Sequence, residues 1–243
     1  MMGLTGKLQR GPISISVSVV CVSLATILIL RAERAYNQTW DEGAHIACGM
    51  EWLSQGTYNF EGIDPPLARI AVAMLPYLSG SRSQSHATMS LTDSGLARRR
   101  EGTALFNWEG RYWHNLMLSR MGVVPFFWFG AFLVFSFMRQ QFSDYHAVVA
   151  VILYAFSPVL LGHASLGTTD MAFTAMFLWS LLSCWRCIEK LTFASGLVAS
   201  VSLGMACLAK FTELPFLSAA VAILIARHWY ITKEILPPLI NAY

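Results

Sequence analysis

The chain of 243 residues is 55% hydrophobic and 13% charged, with a formal net charge of +3. An average globular chain is about 45–50% apolar and about 25% charged, and much of its surface must remain acceptable to water. The composition therefore excludes a soluble domain of this size, a disordered chain (which would be charge-rich and aromatic-poor) and a nucleic-acid binder, because four lysines supply no basic stripe. What remains is a polytopic transmembrane helical bundle, all-α, embedded in the lipid bilayer.

A transmembrane helix needs about 20 mostly apolar residues. The first such run is 12–30, preceded by Lys7 and Arg10. The same pattern fits a secretory signal peptide, but Ala32-Glu-Arg-Ala35 is a poor cleavage site and more spans follow, so a retained anchor is expected. Residues 31–119 differ in character: they hold nine of the fourteen acidic residues and eight arginines. They read as a long extramembrane loop with short helices of its own. Apolar runs then resume within 120–230, at 121–138, 146–161, 171–187, 193–209 and 214–230. Six spans are thus expected in a single membrane domain covering 1–243.

Lys/Arg bias in short loops sets orientation, whereas long loops cross largely regardless of charge. With the N-terminus inside, the inner segments carry Lys7, Arg10, Arg139, Arg186, Lys190, Arg227 and Lys233, and the short outer connections carry only Lys210. Parity then puts the long loop, the 162–170 connection and the 210–213 connection on one outer face. Within the fifth run, Gly196, Ser200 and Gly204 recur four apart, a spacing that lets helices approach closely. The five cysteines are odd in number, and Cys184 and Cys187 have redox spacing without a second pair. Buried thiols on a membrane helix are expected.

Three constellations carry chemistry. The first is Thr39-Trp-Asp41-Glu42-Gly-Ala-His45 at the start of the long loop. It fits a capping box in which Thr39 caps a helix running to about Leu53 and Glu42 reaches back. It equally fits a general base at the membrane surface with a second acid and an imidazole beside it. The second is His163 through Asp170, with Asp170 at the mouth of a span. There an ionisable group is a functional candidate, although Thr168 or Thr169 could cap the helix and Asp170 could suit its dipole. The third is Lys210-Phe-Thr-Glu213, whose lysine could snorkel or face a lipid phosphate. Asp41, Glu42 and His45 could also donate ligands to a divalent metal, but without a defined fourth ligand they choose none. Asp64-Pro-Pro-Leu opens a short apolar helix, with proline in its first turn, expected to lie in the interface. The Ser/Gly/Arg-rich stretch 82–101 is expected to be mobile.

In order, Asp41-Glu42-Xaa-Xaa-His45, Gly49, Pro65-Pro66-Leu67, Leu161-Gly-His163-Xaa-Ser-Leu-Xaa-Thr-Thr-Asp170 and Gly204-Met-Ala-Cys-Leu-Ala-Lys210-Phe-Thr resemble the N-terminal half of the GT-C superfamily of polyprenyl-phosphate-dependent glycosyltransferases. The resemblance is to the dolichyl-phosphate-mannose–protein mannosyltransferase-like group of bacterial membrane proteins, over residues 12–230. It implies inverting transfer of a sugar from a polyprenyl-phosphate donor to a hydroxyl of a protein, lipid or glycan acceptor. It also implies a bacterial inner membrane with the active face extracytoplasmic. Carried onto this chain, Asp41 is the general base. Glu42, His45, His163 and Asp170 order the acceptor or sugar, and Lys210 faces the donor phosphate. The chain departs from the family pattern in having Asp64 before Pro-Pro-Leu. Family members are also typically longer, so further spans or a second chain are expected to complete the fold. Two alternatives remain: a transporter using Asp170 and Lys210, and a non-catalytic glycosyltransferase-like partner.

Overall fold

The computed structural model describes residues 11–60, 64–83 and 94–235, and every regular element among them is a helix. Lys7, Arg10, residues 84–93 of the Ser/Gly/Arg-rich stretch and the chain end at 241–243 lie outside the described residues. In chain order the helices are α1 (Pro12–Ala32), α2 (Glu42–Gln55), α3 (Leu67–Leu78), α4 (Ser94–Phe106), α5 (Tyr112–Met121), α6 (Val124–Gln141), α7 (Asp144–Ala155), α8 (Pro158–Ala164), α9 (Asp170–Glu189), α10 (Phe193–Ala209) and α11 (Glu213–Ile235).

Three stretches are long and apolar enough to cross a bilayer: Pro12–Ala32, Tyr112–Gln141 (which runs through α5 and α6) and Asp170–Glu189. The run expected as one span at 146–161 is instead broken into α7 and α8, bent by 60°. Pro158 is the cause. It opens α8 without an amide hydrogen, and it holds Ser157 in an extended conformation (φ −64°, ψ 121°) that no helix can pass through. The bent pair makes a fourth span if counted as one. Helix α10, at 17 residues, rises about 25 Å against the roughly 30 Å of a hydrocarbon core.

The two ends of the bundle are held by different chemistry. At one end Asp144, the first residue of α7, accepts from the Gly11 amide (3.0 Å) and the Ser14 hydroxyl (2.8 Å) and pairs with Arg139 (2.9 Å). This fastens the start of α1 to the α6–α7 turn. At the other end α2 to α5 form a cap. Helix α3 does not lie free in an interface. It buries Ala68, Arg69, Val72, Ala73 and Pro76, and Ala68 joins Ala172, Ala175 and Met176 of α9 and Ala206 and Ala209 of α10 in one apolar cluster. The proline expected in its first turn, Pro66, sits at the N-cap instead.

Two glycines let the cap close. A Cβ at Gly49 would run into the Arg69 carbonyl, so α2 and α3 touch backbone to backbone. A Cβ at Gly102 would strike the backbone of Gly43, which brings α4 against the start of α2. Residues 94–101, from a stretch whose composition gave no helix, form the first turns of α4. The small-residue row on α10 is a second correction. Gly196 and Gly204 face open space, and the buried face is Ala199, Ser202, Ala206 and Ala209, one turn-register away. The cysteines are all free thiols.

Candidate active site

Asp41 and Glu42 are neighbours in sequence and opposites in environment. Helix α2 begins at Glu42 with Asp41 as its N-cap residue, and no side chain caps it. Only the returning half of the anticipated capping box forms: the Thr39 amide donates to Glu42 Oε2 at 2.7 Å. The Glu42 carboxylate points inward, fully buried, and meets Arg120 of α5 in a two-pronged pair (Nε to Oε1 2.7 Å, Nη2 to Oε2 2.9 Å). Arg120 spends its other hydrogens on the carbonyls of Glu33 (2.5 Å), Tyr36 (2.9 Å) and Asn37 (3.0 Å). Burial pushes the Glu42 carboxyl up, but the Arg120 guanidinium and the amides of Thr39 and Gly167 together hold it below the usual carboxylate value. Fork-on-fork pairing of this kind gives geometry as well as energy. Asp41 has no such cage. Its side chain is 65% exposed, and its nearest cation is Arg99 at 3.9 Å.

One turn on, His45 tucks its ring into the cap. Its Nδ1 is buried without a hydrogen-bond partner among the described residues. Burial, then the Arg69 charge, push the imidazole down to about 4, against the opposing pull of Asp41, Asp64 and Asp170. It is therefore neutral at pH 7. Arg69 is itself buried and held by Asp64 (2.8 Å) and the Tyr58 hydroxyl (3.1 Å). This gives Asp64, the residue that departs from the family pattern, a partner one helical turn away.

The second and third constellations meet. Asp170 opens α9, and Lys210 follows the last residue of α10, so the two helices bring their charges to the same level. The Lys210 Nζ lies 3.0 Å from Asp170 Oδ1, and His163 Nδ1 lies 3.5 Å from Oδ2. The Thr168 hydroxyl reaches the same Oδ2 at 3.4 Å, while Thr169, the N-cap, makes no side-chain cap. All three side chains, Asp170, Lys210 and His163, are partly open, at 33–46% side-chain exposure.

The turn 165–169 joins this cluster to the first. The Gly167 amide donates to Glu42 Oε1 at 2.8 Å across 125 residues of sequence. A Cβ on Gly167 would come within 3.4 Å of both Ser119 Oγ and that carboxylate oxygen, so the turn lies close against the buried pair. The six residues singled out from sequence thus stand at one end of the bundle. Five of them (Asp41, His45, His163, Asp170 and Lys210) remain open or within electrostatic reach of one another, and Glu42 is sealed into the frame. Among the described residues, no group of three or more His, Cys, Asp and Glu side chains converges as a metal site.

Sequence reasoning missed Arg120 and Glu33. Arg120 had one available signal, a lone arginine where an apolar run begins, since a charge at the mouth of a span needs a partner. Glu33 sits just past α1, 1% exposed, with neither carboxylate oxygen hydrogen-bonded among the described residues. Burial pushes it up to about 8, against the pull of Arg120 and Arg34.

Fold and site together define an integral membrane protein of all-helical type with a polar cluster at one end of its bundle. Residues 122–241, just under half of the chain, match the family described as dolichyl-phosphate-mannose-protein mannosyltransferase, and this stretch is similar to that family of GT-C-type membrane glycosyltransferases. The match takes in His163, Asp170 and Lys210, whereas Asp41, Glu42 and His45 precede it. No curated protein and no solved structure matches the chain.

Proposed function

We infer that the chain transfers a sugar from a polyprenyl-phosphate donor to an acceptor hydroxyl at the outer membrane face, with Asp41 as general base. The observation that carries this reading is the contrast within the Asp-Glu pair. Glu42 is consumed by Arg120, while Asp41 stands open beside it, held in position by the frame Glu42 builds. A carboxylate that must take a proton from an incoming hydroxyl needs such access.

In the proposed step Asp41 removes the acceptor proton, and the acceptor oxygen forms a bond to the anomeric carbon from the face opposite the phosphate. The bond from that carbon to the phosphate oxygen breaks, and polyprenyl phosphate leaves with the electron pair. Charge builds on the phosphate, so a fixed cation nearby lowers the barrier. Lys210, partly exposed and steadied by Asp170, fits that role, and His163 with Asp170 would hold sugar hydroxyls. Glu42 serves as a positioning residue. The bacterial inner membrane rests on the family resemblance, and the extracytoplasmic placement of the cluster rests on the charge bias of the short loops. Six spans follow if α7 with α8, α10 and α11 each cross. Transport gains no support: the one helix pair broken at a proline has no counterpart among the described residues of the kind that inverted repeats would supply.

The test is Asp41→Asn in membranes charged with a radiolabelled polyprenyl-phosphate sugar. Transfer is expected to fall by about 10²–10⁴-fold, the range of a lost general base, with the protein still present at wild-type level. Undiminished transfer would remove Asp41 from the base role.

A further inference from the structure

Beside Asp41 lies a pocket of about 420 Å³ between residues 38–43 and α4. Trp40 lines it and is 69% exposed. The Arg99 guanidinium stacks over this ring at 4.1 Å from its centre and leans on the Gly95 carbonyl at 3.4 Å. Arg100 lines the same pocket and is exposed, with no ion-pair partner among the described residues. Thr39, Gln38 and Thr103 supply polar edges, with Gln38 and Thr103 bonded to each other at 2.9 Å. The pocket therefore offers an open aromatic surface, two guanidinium groups and small polar groups, with the exposed Asp41 carboxylate next in sequence to Trp40 and 3.9 Å from Arg99.

We propose that this pocket is the acceptor subsite and that the acceptor is an anionic saccharide, a sugar ring bearing a phosphate or carboxylate group. The ring's C–H face lies on Trp40, its anionic oxygens meet Arg99 and Arg100, and a ring hydroxyl reaches Asp41. A bare anion would leave the open surface of Trp40 unused, and a neutral sugar would leave Arg100 without a counter-charge. Guanidinium forks match phosphate and carboxylate oxygens in a way a lone ammonium does not. The volume suits one ring with its substituent, at the small end of ordinary ligand pockets of about 300–1,000 Å³. The proposal rests on the reading of Asp41 as base, because only that reading gives a hydroxyl at the rim a reason to be there.

The experiment measures binding, so it stands apart from turnover. The full chain in phosphatidylcholine nanodiscs is titrated with mannose 6-phosphate, mannose and inorganic phosphate. Mannose 6-phosphate is expected to bind at least tenfold more tightly than either fragment. Arg100→Gln and Trp40→Leu, both at exposed positions outside the core, are each expected to weaken mannose 6-phosphate binding about fivefold or more, one charge-assisted or stacking contact being removed. Asp41→Asn is expected to keep binding and lose transfer. If mannose binds as tightly as its phosphate, or both pocket variants bind as wild type does, the subsite is overturned. Inorganic phosphate binding as tightly as the sugar phosphate overturns the saccharide part. Transfer surviving in Asp41→Asn with binding intact removes the base and spares the pocket. Nanodiscs doped with a glucuronosyl diacylglycerol separate the two sources of this chemistry. Competition with mannose 6-phosphate assigns the pocket to a membrane headgroup, and its absence assigns it to a soluble saccharide.

Discussion

Two carboxylate–cation pairs at the same end of the bundle behave in opposite ways. Glu42 and Arg120 are wholly buried, and each oxygen and most of the guanidinium hydrogens have fixed partners. Asp170 and Lys210 are partly exposed, and Asp170 shares its second oxygen with His163 and Thr168. The first pair has no capacity left for a ligand. The second can exchange a partner for one. The difference shows that residue type alone does not mark a reacting group, whereas saturation does. A carboxylate with every lone pair committed builds the scaffold, and one with water access can bind or take a proton.

The sharpest way to break that comparison is to remove one member of the sealed pair. Glu42→Ala leaves Arg120 charged and buried, and orphans the amides of Thr39 and Gly167. A loss of about 3–5 kcal/mol of stability is expected, read from thermal or denaturant unfolding in detergent. The double variant Glu42→Gln with Arg120→Met should recover a large share, since no uncompensated charge remains. If the single and double variants unfold alike, the pair is not the clamp it looks to be. Asp41→Asn, in contrast, should stay within about 0.5 kcal/mol of wild type because the side chain touches little.

The open pair should respond in the reverse sense. An ion pair this exposed is worth about 0–1 kcal/mol to folding, so Asp170→Asn and Lys210→Met are expected to unfold near wild type. Their cost should appear in turnover. Loss of a fixed charge facing the leaving phosphate is expected to lower kcat on the order of 10²-fold, measured with saturating polyprenyl-phosphate sugar. A rise in KM with kcat unchanged would mean instead that the pair only binds the donor.

Much of this division was legible in the residues and part of it was not. The helical membrane class follows directly from 55% hydrophobic content, and the 41–45, 163–170 and 210 segments that the sequence singled out lie near one another, joined by the Gly167–Glu42 and Lys210–Asp170 contacts. Local pattern could not tell Asp41 from Glu42, because their difference is made by Arg120, 78 residues away. It gave no helix for α4 because Ser and Gly lower helix propensity, while packing of Gly102 on Gly43 holds one there. The break at Pro158 was visible in the sequence as a proline inside an apolar run, and hydropathy averaging hid it. The small-residue row of α10 failed for a related reason: spacing gives a helix face, and only neighbours decide which face is covered.

The smallest effect is the most discriminating about the cap itself. Glu33 and His45 are both buried there and both held neutral at pH 7, with opposite consequences for stability. His45 falls from its ordinary 6.5 to about 4. Between those values the unfolded chain binds the extra proton, so its contribution is lost as pH falls from 6.5 towards 4. Glu33 rises from 4.5 to about 8. Between those values the folded chain keeps the proton, so its contribution is lost as pH rises from 4.5 towards 8. The two slopes oppose each other between 4.5 and 6.5, and Glu33 acts alone above 6.5. The expected profile of unfolding free energy is level from pH 5 to 6.5 and declines towards 8. Glu33→Gln should flatten that upper limb. It should also uncover a decline below pH 6.5, because nothing then offsets the protonation of His45. Denaturant unfolding of both proteins across pH 5–8 reads this directly. Superimposable profiles would mean that Glu33 titrates as an ordinary surface carboxylate, and that the sealed part of the cap ends at Glu42 and Arg120.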